Sequence, residues 1–434
     1  MAPLFFISEP PPSMKFLHAG DIHLDSALSG LSAHDEAPLE LLRGATRRAF
    51  IKLIDLALAE RVAFLVIPGD LFDTGWKHFQ TGIFFMRQIA RLHEANIPVY
   101  LLRGNHDSSE DMVRSLTPPP NLHTFGSDAP QTFELEVDGL KIALTGQSFQ
   151  KAATFDNLAA NYRFQPGALN IALLHTGLGG YANHQPYAPC SLDELKNAGA
   201  AYWALGHVHE QKLLHETAPT IAFSGNLQGR HVGEPGARGA LMVTIAHGVI
   251  RPPRQVFLDV LRWQTATVDV GGTLTMDEAM GRVQTAFKAL LDHAEERPVA
   301  CRLVLTGKTA VHRELTTASR ALRNNVLTQA MYVDPSRLWI EKIDVRTASP
   351  RDPAEIEARA DGLAELQKLL AEARGDADFI AMLKKDFAPL LAKAPKDVFE
   401  DAGATVLHHA AKGDFAALLS QIEPDVIDRL AQED

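Results

Sequence analysis

Apolar runs that stop at a glycine or proline and continue with a polar residue recur along the first part of the chain. The run Val62–Ile67 is typical of a buried strand, and it ends at Pro68 and Gly69. Between such runs, apolar residues recur every three or four positions, which predicts amphipathic helices. The predicted strands and helices alternate as Met14–Asp21, Pro38–Glu60, Val62–Ile67, Phe79–Ala95 and Val99–Leu102. This alternation predicts right-handed crossovers and a sheet that is at least partly parallel.

After Asp111 the pattern changes to shorter strands, joined by connections that contain Gly, Asn or Pro. These strands are predicted at Thr132–Val137, Lys141–Thr145, Asn170–Leu174, Ala201–Leu205, Thr220–Phe223 and Ala240–Ile245. They predict a second sheet that packs on the first, with helices outside. The fold class predicted for this part of the chain is therefore a two-sheet α/β sandwich.

A new unit begins near Leu261. Its predicted strands and helices are Gln264–Val270, Met276–Ala294, Val299–Thr306, His312–Asn325 and Arg337–Val345, which together describe a small α+β domain. Ser349-Pro350 breaks the chain, and the remainder has helical spacing. We predict a disordered leader over residues 1–13, a main domain over 14–260, the α+β domain over 264–347 and a helical tail over 350–434.

Composition narrows the class of protein. Of 434 residues, 46% are hydrophobic and 22% are charged, which permits a sizeable core and argues against global disorder. Cys190 and Cys301 are the only cysteines, so we expect neither a disulfide scaffold nor a cysteine zinc site, and we predict a cytoplasmic location. No apolar run approaches the roughly 18 residues that a membrane span needs.

The net charge of −11 gives no bulk attraction to nucleic acid. The charge is uneven, however, because the chain from Pro350 onward holds 18 acidic and 10 basic residues. Most of the negative charge therefore lies in the predicted tail, and the objection to a nucleic-acid substrate applies mainly there.

Asp70 follows a buried strand, and a desolvated carboxylate in such a place needs a cation. Four further motifs also lie at predicted strand ends. The five are Gly20-Asp21-Ile22-His23, Gly69-Asp70, Gly104-Asn105-His106-Asp107, His175 and Gly206-His207-Val208-His209. Because ligand sites in α/β sheets lie outside the carboxyl ends of strands, we expect these motifs to meet.

Asp, His and Asn without Cys favour a divalent ion such as Mn²⁺, Fe²⁺ or Zn²⁺. The candidate ligands are Asp21, His23, Asp70, Asn105, His175, His207 and His209. Seven ligands are too many for one ion in an open site, but they fit two ions about 3.5–4 Å apart. One carboxylate would then bridge the two ions, and Asp70 is the predicted bridge. Mn²⁺ is the predicted metal, with Fe²⁺, Zn²⁺ and Mg²⁺ as alternatives.

The order of these motifs resembles the calcineurin-like metallophosphoesterase family over Met14–Leu258. The resemblance implies a metallophosphoesterase sandwich in which one metal is held by Asp21, His23, Asp70 and His209. It implies a second metal held by Asp70, Asn105, His175 and His207. It also implies that His106 protonates the leaving oxygen or stabilises its charge, and that Asp107 orients His106.

Within that family the chain resembles the DNA-repair exonuclease branch, the nuclease subunit of the bacterial SbcCD type, through the segment Gly69–Gly75 and the strand that leads into Gly104–Ser108. Three stretches resemble its YhaO subgroup: Tyr187–Leu192, Tyr202–His207 and Gly225–His231. This implies that the α+β domain is a capping domain that positions DNA. It also implies an SMC-like ATPase partner, for which the tail is the candidate contact. Related nucleases are commonly dimers, so a homodimer is one assembly left open.

Three further residues are candidates for substrate binding. Asp73 either supports a ligand or approaches the substrate. Arg230 and His231 lie in a glycine-rich loop and either contact phosphate or belong to a solvated loop.

The predicted function is a metal-dependent DNA phosphodiesterase, an exonuclease in repair. One alternative is a small-molecule phosphodiesterase or phosphatase on the same site, against which the capping domain and the YhaO-like stretches argue. The other is a non-catalytic scaffold for the ATPase. A scaffold would be expected to have lost ligands, and none of the seven is missing.

Overall fold

The computed structural model describes residues 13–31, 42, 44–73, 79–108, 117–179, 186–350, 361–393 and 405–430. The chain divides into two compact units, Met1–Gln264 with Glu296–Ala300 and Thr265–Glu295 with Cys301–Asp434. Residues 1–12 of the predicted leader, Thr74-Gly75 and the predicted helical start at 38–41 lie outside the described residues. The four segment boundaries predicted from the sequence stay predictions.

The first unit contains a seven-stranded sheet. Its strands are β1 (Ser13–His18), β2 (Phe64–Pro68), β3 (Val99–Leu102), β4 (Leu122–Thr124), β11 (Gly239–Ala246), β12 (Val249–Ile250) and β13 (Arg254–Phe257). The four strands β1-β2-β3-β4 are parallel neighbours in that order, and β11 pairs with β1 in the antiparallel direction. The predicted parallel pairing of the first three strands is therefore confirmed.

A second, six-stranded sheet has the order β5-β6-β7-β8-β10-β9. Its strands are β5 (Gln131–Val137), β6 (Leu140–Gly146), β7 (Leu169–His175), β8 (Tyr202–Gly206), β9 (Lys212–His215) and β10 (Thr220–Phe223). The four strands β6, β7, β8 and β10 are parallel.

Alternation along β2 explains how the layers are held together. Phe64 and Val66 face the second sheet, in one buried cluster with Leu173 and Tyr202. Leu65 and Ile67 face the other way, because successive side chains of a strand point to opposite faces. There they meet the helices α1 (Ala45–Ala59) and α2 (Phe79–Glu94), which contribute Phe50, Leu53, Phe85 and Ile89.

The second sheet is covered on its outer side in the same manner. Trp203 and Leu205 of β8 pack with Leu195 of the short helix α3 (Leu192–Asn197). Ser191 begins this helix with a capping box, in which its hydroxyl accepts from the Glu194 N–H and the Glu194 carboxylate accepts from the Ser191 N–H. The predicted two-sheet α/β sandwich with helices outside is confirmed.

The second unit has a three-stranded sheet in the order β14 (Arg262–Asp269), β15 (Val299–Lys308), β16 (Leu338–Ala348). Its helices are α4 (Met276–His293), α5 (His312–Thr317) and α6 (Ser319–Val333). The helix predicted over His312–Asn325 is thus two helices, which break at Ala318, where φ is −102° and ψ is 53°.

The tail contains the helices α7 (Gly362–Ala373), α8 (Ala377–Lys393), α9 (Thr405–Ala411) and α10 (Phe415–Leu430). The helical character predicted for this part of the chain is confirmed for its described residues. A search of the described helices finds none with the length and apolar character to cross a membrane.

Candidate metal centre

The carboxyl ends of five strands bring the seven predicted ligands together. Asp21 and His23 follow β1, Asp70 follows β2 and Asn105 follows β3, while His175 ends β7 and His207 and His209 follow β8. The backbone of Asp21, His23, Asp70 and His207 is left-handed, with φ between 45° and 98°. Residues other than glycine rarely adopt this conformation and keep it only where their surroundings demand it. The chain is therefore bent sharply just where these side chains are presented.

Three groups of side chains have ligand atoms within 4.8 Å of one another, and two of the three consist of predicted ligands. Of these two, the first is Asp21, His23 and His209, and the second is Asp70, His175 and His207. The remaining group is His23, Asp73 and His106. Asn105 belongs with the second group, since its Oδ1 lies 2.9 Å from His175 Nε2 and 3.2 Å from His207 Nδ1.

Asp70 lies between the two groups. Its Oδ2 is 3.4 Å from His175 Nε2 and 3.9 Å from His23 Nε2. Its Oδ1 accepts a hydrogen bond of 3.0 Å from the backbone N–H of His106. This position is the one that a bridging carboxylate needs.

The residues fit a pair of divalent cations. Asp21 and Asp70 are both only 1% exposed, and two buried carboxylates require positive charge nearby. The Nε2 atoms of His23 and His209 face each other at 3.2 Å, an arrangement that a shared cation would stabilise. The set of O and N donors is also the one that suits such ions. The assignment of each residue as a ligand stays a prediction.

Burial and charge set the protonation of this group. Burial would raise the pKa of Asp70, but the charge and hydrogen bond of His175 outweigh it and hold that pKa below its usual value. Conversely, burial would lower the pKa of His175, but Asp70 raises it to about 9. Burial raises the pKa of Asp21 to about 6 and lowers that of His23 to about 4. Asp70 is therefore a carboxylate at neutral pH, as a bridging ligand must be.

His106 lies beside the two groups and is paired with Asp73. Its Nδ1 is 2.9 Å from Asp73 Oδ1, and this hydrogen bond raises the pKa of His106. Asp73 also accepts a hydrogen bond of 2.9 Å from Ser26 Oγ, and its Oδ1 is 3.7 Å from His23 Nδ1. The structure therefore gives Asp73 a contact with both a predicted ligand and the predicted proton donor.

The role that the resemblance implies for Asp107, to orient His106, stays a prediction. The carboxylate of Asp107 accepts hydrogen bonds from the backbone N–H groups of Leu71, at 2.8 Å, and Gly104, at 2.6 Å. It thereby ties the loop after β2 to the loop after β3. Burial raises the pKa of Asp107 to about 6, and the charge of Asp70 adds to this effect. The ring of His106 is instead paired with Asp73.

The chain matches known protein families over most of its length. The sequence profile of calcineurin-like phosphoesterases matches residues 14–211, and that of the middle domain of metallophosphoesterase YhaO matches residues 263–348. An uncharacterized metallophosphoesterase YhaO of Bacillus subtilis (strain 168) is 36% identical over 296 residues, which cover 68% of this chain and 72% of the relative. The chain belongs to the calcineurin-like metallophosphoesterase family.

More distant relatives of this metallophosphoesterase are named as DNA-processing proteins. The DNA double-strand break repair protein Mre11 of Sulfurisphaera tokodaii is 23% identical over 362 residues, which cover 78% of this chain and 85% of the relative. A subunit of the nuclease SbcCD of Bacillus subtilis (strain 168) is 24% identical over 293 residues, which cover 58% of this chain and 73% of the relative.

Glu234 is a residue that the sequence analysis of this metallophosphoesterase missed. It is 5% exposed, and its Oε1 lies 2.7 Å from His209 Nδ1. Its Oε2 accepts hydrogen bonds of 2.8 Å from Asn226 Nδ2 and from the Arg230 N–H. Burial would raise the pKa of Glu234, but His209 and Arg230 outweigh it and lower that pKa. A carboxylate in this position fixes the ring orientation of a histidine ligand.

Arg230 and His231 surround the same carboxylate. Arg230 Nη2 is 2.9 Å from Glu234 Oε1, and the Arg230 side chain is only 13% exposed. His231 is 46% exposed, and its Nε2 lies 3.6 Å from the same oxygen. The structure thus places Arg230 in support of Glu234 and His209. A direct contact of Arg230 or His231 with substrate stays a prediction.

The sequence signal for Glu234 was an acid four residues after an arginine in this loop.

The Asp73→Asn substitution tests the pairing with His106. We expect kcat to fall by about 10- to 100-fold, because His106 loses both its orientation and the charge that favours its protonated form. The metal content, measured by elemental analysis, should stay at the wild-type value. Asp55→Asn is the matched control, since Asp55 is an exposed carboxylate paired with Arg91. If the Asp73→Asn protein loses its metal, Asp73 is a metal ligand, which would contradict its assignment as the partner of His106.

The Glu234→Gln substitution tests the support of His209. Metal affinity, measured by calorimetric titration with Mn²⁺, should fall by about 10- to 100-fold, because the ring of His209 is no longer held by a carboxylate. Glu210→Gln is the control, since Glu210 follows His209 directly but is exposed and pairs with Lys212. Equal affinities of the two variants would show that Glu234 has no such role.

Proposed function

We propose that this metallophosphoesterase is a DNA phosphodiesterase, an exonuclease of DNA repair, which works with two divalent cations, Mn²⁺ foremost. The observation that carries the proposal is Asp70, a buried carboxylate between two groups of ligand side chains, with His106 and Asp73 beside it. The family supports hydrolysis of a phosphate ester. The names of two relatives, a double-strand break repair protein and a nuclease subunit, support DNA as the substrate.

The residues have separate tasks in the proposed reaction. When bound, the two ions lower the pKa of a water molecule and neutralise charge on the phosphate. Asp21, His23, Asp70 and His209 hold one ion, and Asp70, Asn105, His175 and His207 hold the other. His106 carries the proton that the leaving sugar oxygen needs, and Asp73 keeps that proton on the ring by raising the pKa of His106. Asp107 fixes the loop that presents Asn105 and His106.

A cavity of about 760 Å³ beside His209 supports a substrate with more than one phosphate group. Its charged lining is Lys212, Arg230, His231, Arg238, Glu210 and Glu234. Arg230 pairs with Glu234 and Lys212 pairs with Glu210, so the support that this cavity gives is its size beside the predicted ligand His209 rather than an excess of positive charge.

We propose the following division of labour along the chain. The nuclease domain covers 14–260, a capping domain at 264–347 positions DNA, and the tail at 350–434 contacts an SMC-like ATPase. The tail helices expose Leu369, Met382 and Leu390 to about half of their full extent, and we propose these side chains as contacts for that partner. A relative named as one subunit of a nuclease supports an assembly of more than one kind of chain. A homodimer is compatible with this arrangement.

The proposal is tested by incubating the full chain and Mn²⁺ with end-labelled duplex DNA, beside a panel of small nucleotide phosphodiesters. We expect degradation of the labelled strand from an end. His106→Ala should lower kcat by about 100-fold or more while metal binding is kept, because only the proton donor is lost. His93→Ala, at the exposed end of α2, should behave as wild type.

Two outcomes would contradict the proposal. Turnover of the small phosphodiesters alone, with and without an ATPase partner, would make the protein a small-molecule phosphodiesterase. Loss of metal from the His106→Ala protein would make His106 a ligand and remove it as the proton donor.

A further inference from the structure

A second cavity, of about 660 Å³, lies in the first unit and contains none of the predicted metal ligands. It is bounded by the segment from Gln147 to Asn161, which follows β6, and by Ser127 and Asp128. Because β6 is parallel to β7, with Gly146 opposite Leu173, this segment leaves the sheet at the edge where β7 delivers His175. The cavity therefore opens at the same edge of the sheet as the metal centre.

A series of aromatic rings connects this cavity with the metal centre. Phe155 lines the cavity, and 58% of this residue is exposed. Its ring centroid is 5.7 Å from that of Tyr187, which in turn lies 5.5 Å from the ring of His207. Phe149 packs beside this series. Its ring centroid is 6.5 Å from that of Tyr187 and 5.3 Å from that of His175. Only one ring thus separates the exposed Phe155 from a predicted metal ligand.

The lining of the cavity also contains a buried acceptor. Gln147 is 7% exposed, and its amide nitrogen donates a hydrogen bond of 2.9 Å to the Ser127 carbonyl oxygen. Its Oε1 has no hydrogen-bond partner among the described residues. This oxygen is shielded from solvent and does not face the space of the cavity, so the exposed ring of Phe155 is the group that the cavity offers to a flat ligand.

The charge of the lining decides which part of a nucleotide fits. Lys151 is the basic residue of the lining, against the acids Asp128 and Asp156. The surrounding polar groups are neutral amides and hydroxyls, namely Ser127, Gln150, Thr154 and Asn161. A phosphate would meet a net negative wall, whereas a neutral, flat ring meets the aromatic face of Phe155.

We propose that this cavity binds one unstacked nucleobase of the DNA strand whose phosphodiester lies at the metal centre. The base stacks on the exposed ring of Phe155. This inference rests on the proposed DNA phosphodiesterase function and adds a consequence to it. A base can reach the cavity only when it is unpaired, so the enzyme selects single-stranded or melted DNA at the point of cleavage.

An abasic scan of a single-stranded oligonucleotide tests the proposal. One nucleotide at a time, on either side of the scissile bond, is replaced by a tetrahydrofuran abasic residue, and kcat/KM is measured with Mn²⁺. Wild type should show one position at which the missing base lowers kcat/KM by about 5- to 100-fold, the range expected for one stacked base. Phe155→Ala should lose this sensitivity, and Phe155→Trp should keep it.

Phe257→Ala is the matched control, since Phe257 is 41% exposed and lies outside both cavities. It should show the wild-type abasic profile. A Phe155→Ala profile equal to that of wild type, or a wild-type profile with no sensitive position, would overturn the base-binding site while leaving the proposed nuclease intact. Hydrolysis of small phosphodiesters without hydrolysis of any of these oligonucleotides would overturn the proposed function and the base-binding site together.

Discussion

The negative charge of Asp70 is the constraint on which the rest of the site depends. This carboxylate is 1% exposed at the end of a central strand, where an uncompensated charge would be prohibitively costly. Glycines create the room for its partners. A Cβ on Gly104 would overlap Asp70 Oδ1, and one on Gly69, where φ is 100°, would overlap the ring of His175. The two glycines thus permit the close approach of carboxylate and imidazole that keeps Asp70 ionised, and they explain why a glycine precedes the acid in this motif.

The sandwich supplies the second requirement, which is that predicted ligands from two sheets meet. Asp21, Asp70 and Asn105 come from the first sheet, whereas His175, His207 and His209 come from the second. The sheets approach closely here, since a Cβ on Gly206 would overlap the Pro68 carbonyl oxygen. The predicted metal ligands therefore lie at the ends of strands. The two cavities that we propose for substrate binding lie in the loops around them. One such loop holds Arg230 and Glu234 beside His209, and another holds Gln147 and Phe155 beyond Tyr187.

Strands and ligands could be predicted from the sequence because both leave a local signal. A run such as Val62–Ile67 is apolar throughout, as a doubly covered strand must be, and it was placed within two residues at its start and one at its end. The short strands Leu122–Thr124, Lys212–His215, Val249–Ile250 and Arg254–Phe257 were missed, because their residues are polar or too few to show a period. The break at Ala318 was missed as well, since no glycine or proline marks it.

Contacts between loops could not be predicted in the same way. The family resemblance implies that Asp107 orients His106, and the structure directs the Asp107 carboxylate to the backbone of Leu71 and Gly104. The partner of His106 is Asp73, which is 33 positions earlier in the sequence. Glu234 meets His209 for the same kind of reason, from a loop 25 positions away. Such pairings depend on how loops that follow different strands meet in space. The spacing of residues within one segment of the sequence does not show this.

We propose that Asp70 joins two metal ions into one site. Electron paramagnetic resonance during a Mn²⁺ titration, on wild type and on Asp70→Asn, tests this bridge directly. Wild type should bind two ions per chain with the spectrum of a coupled manganese pair. Asp70→Asn should lose the coupling and bind manganese more weakly at both positions. A wild-type spectrum of isolated ions, or an Asp70→Asn protein that retains the coupled pair, would contradict the bridge.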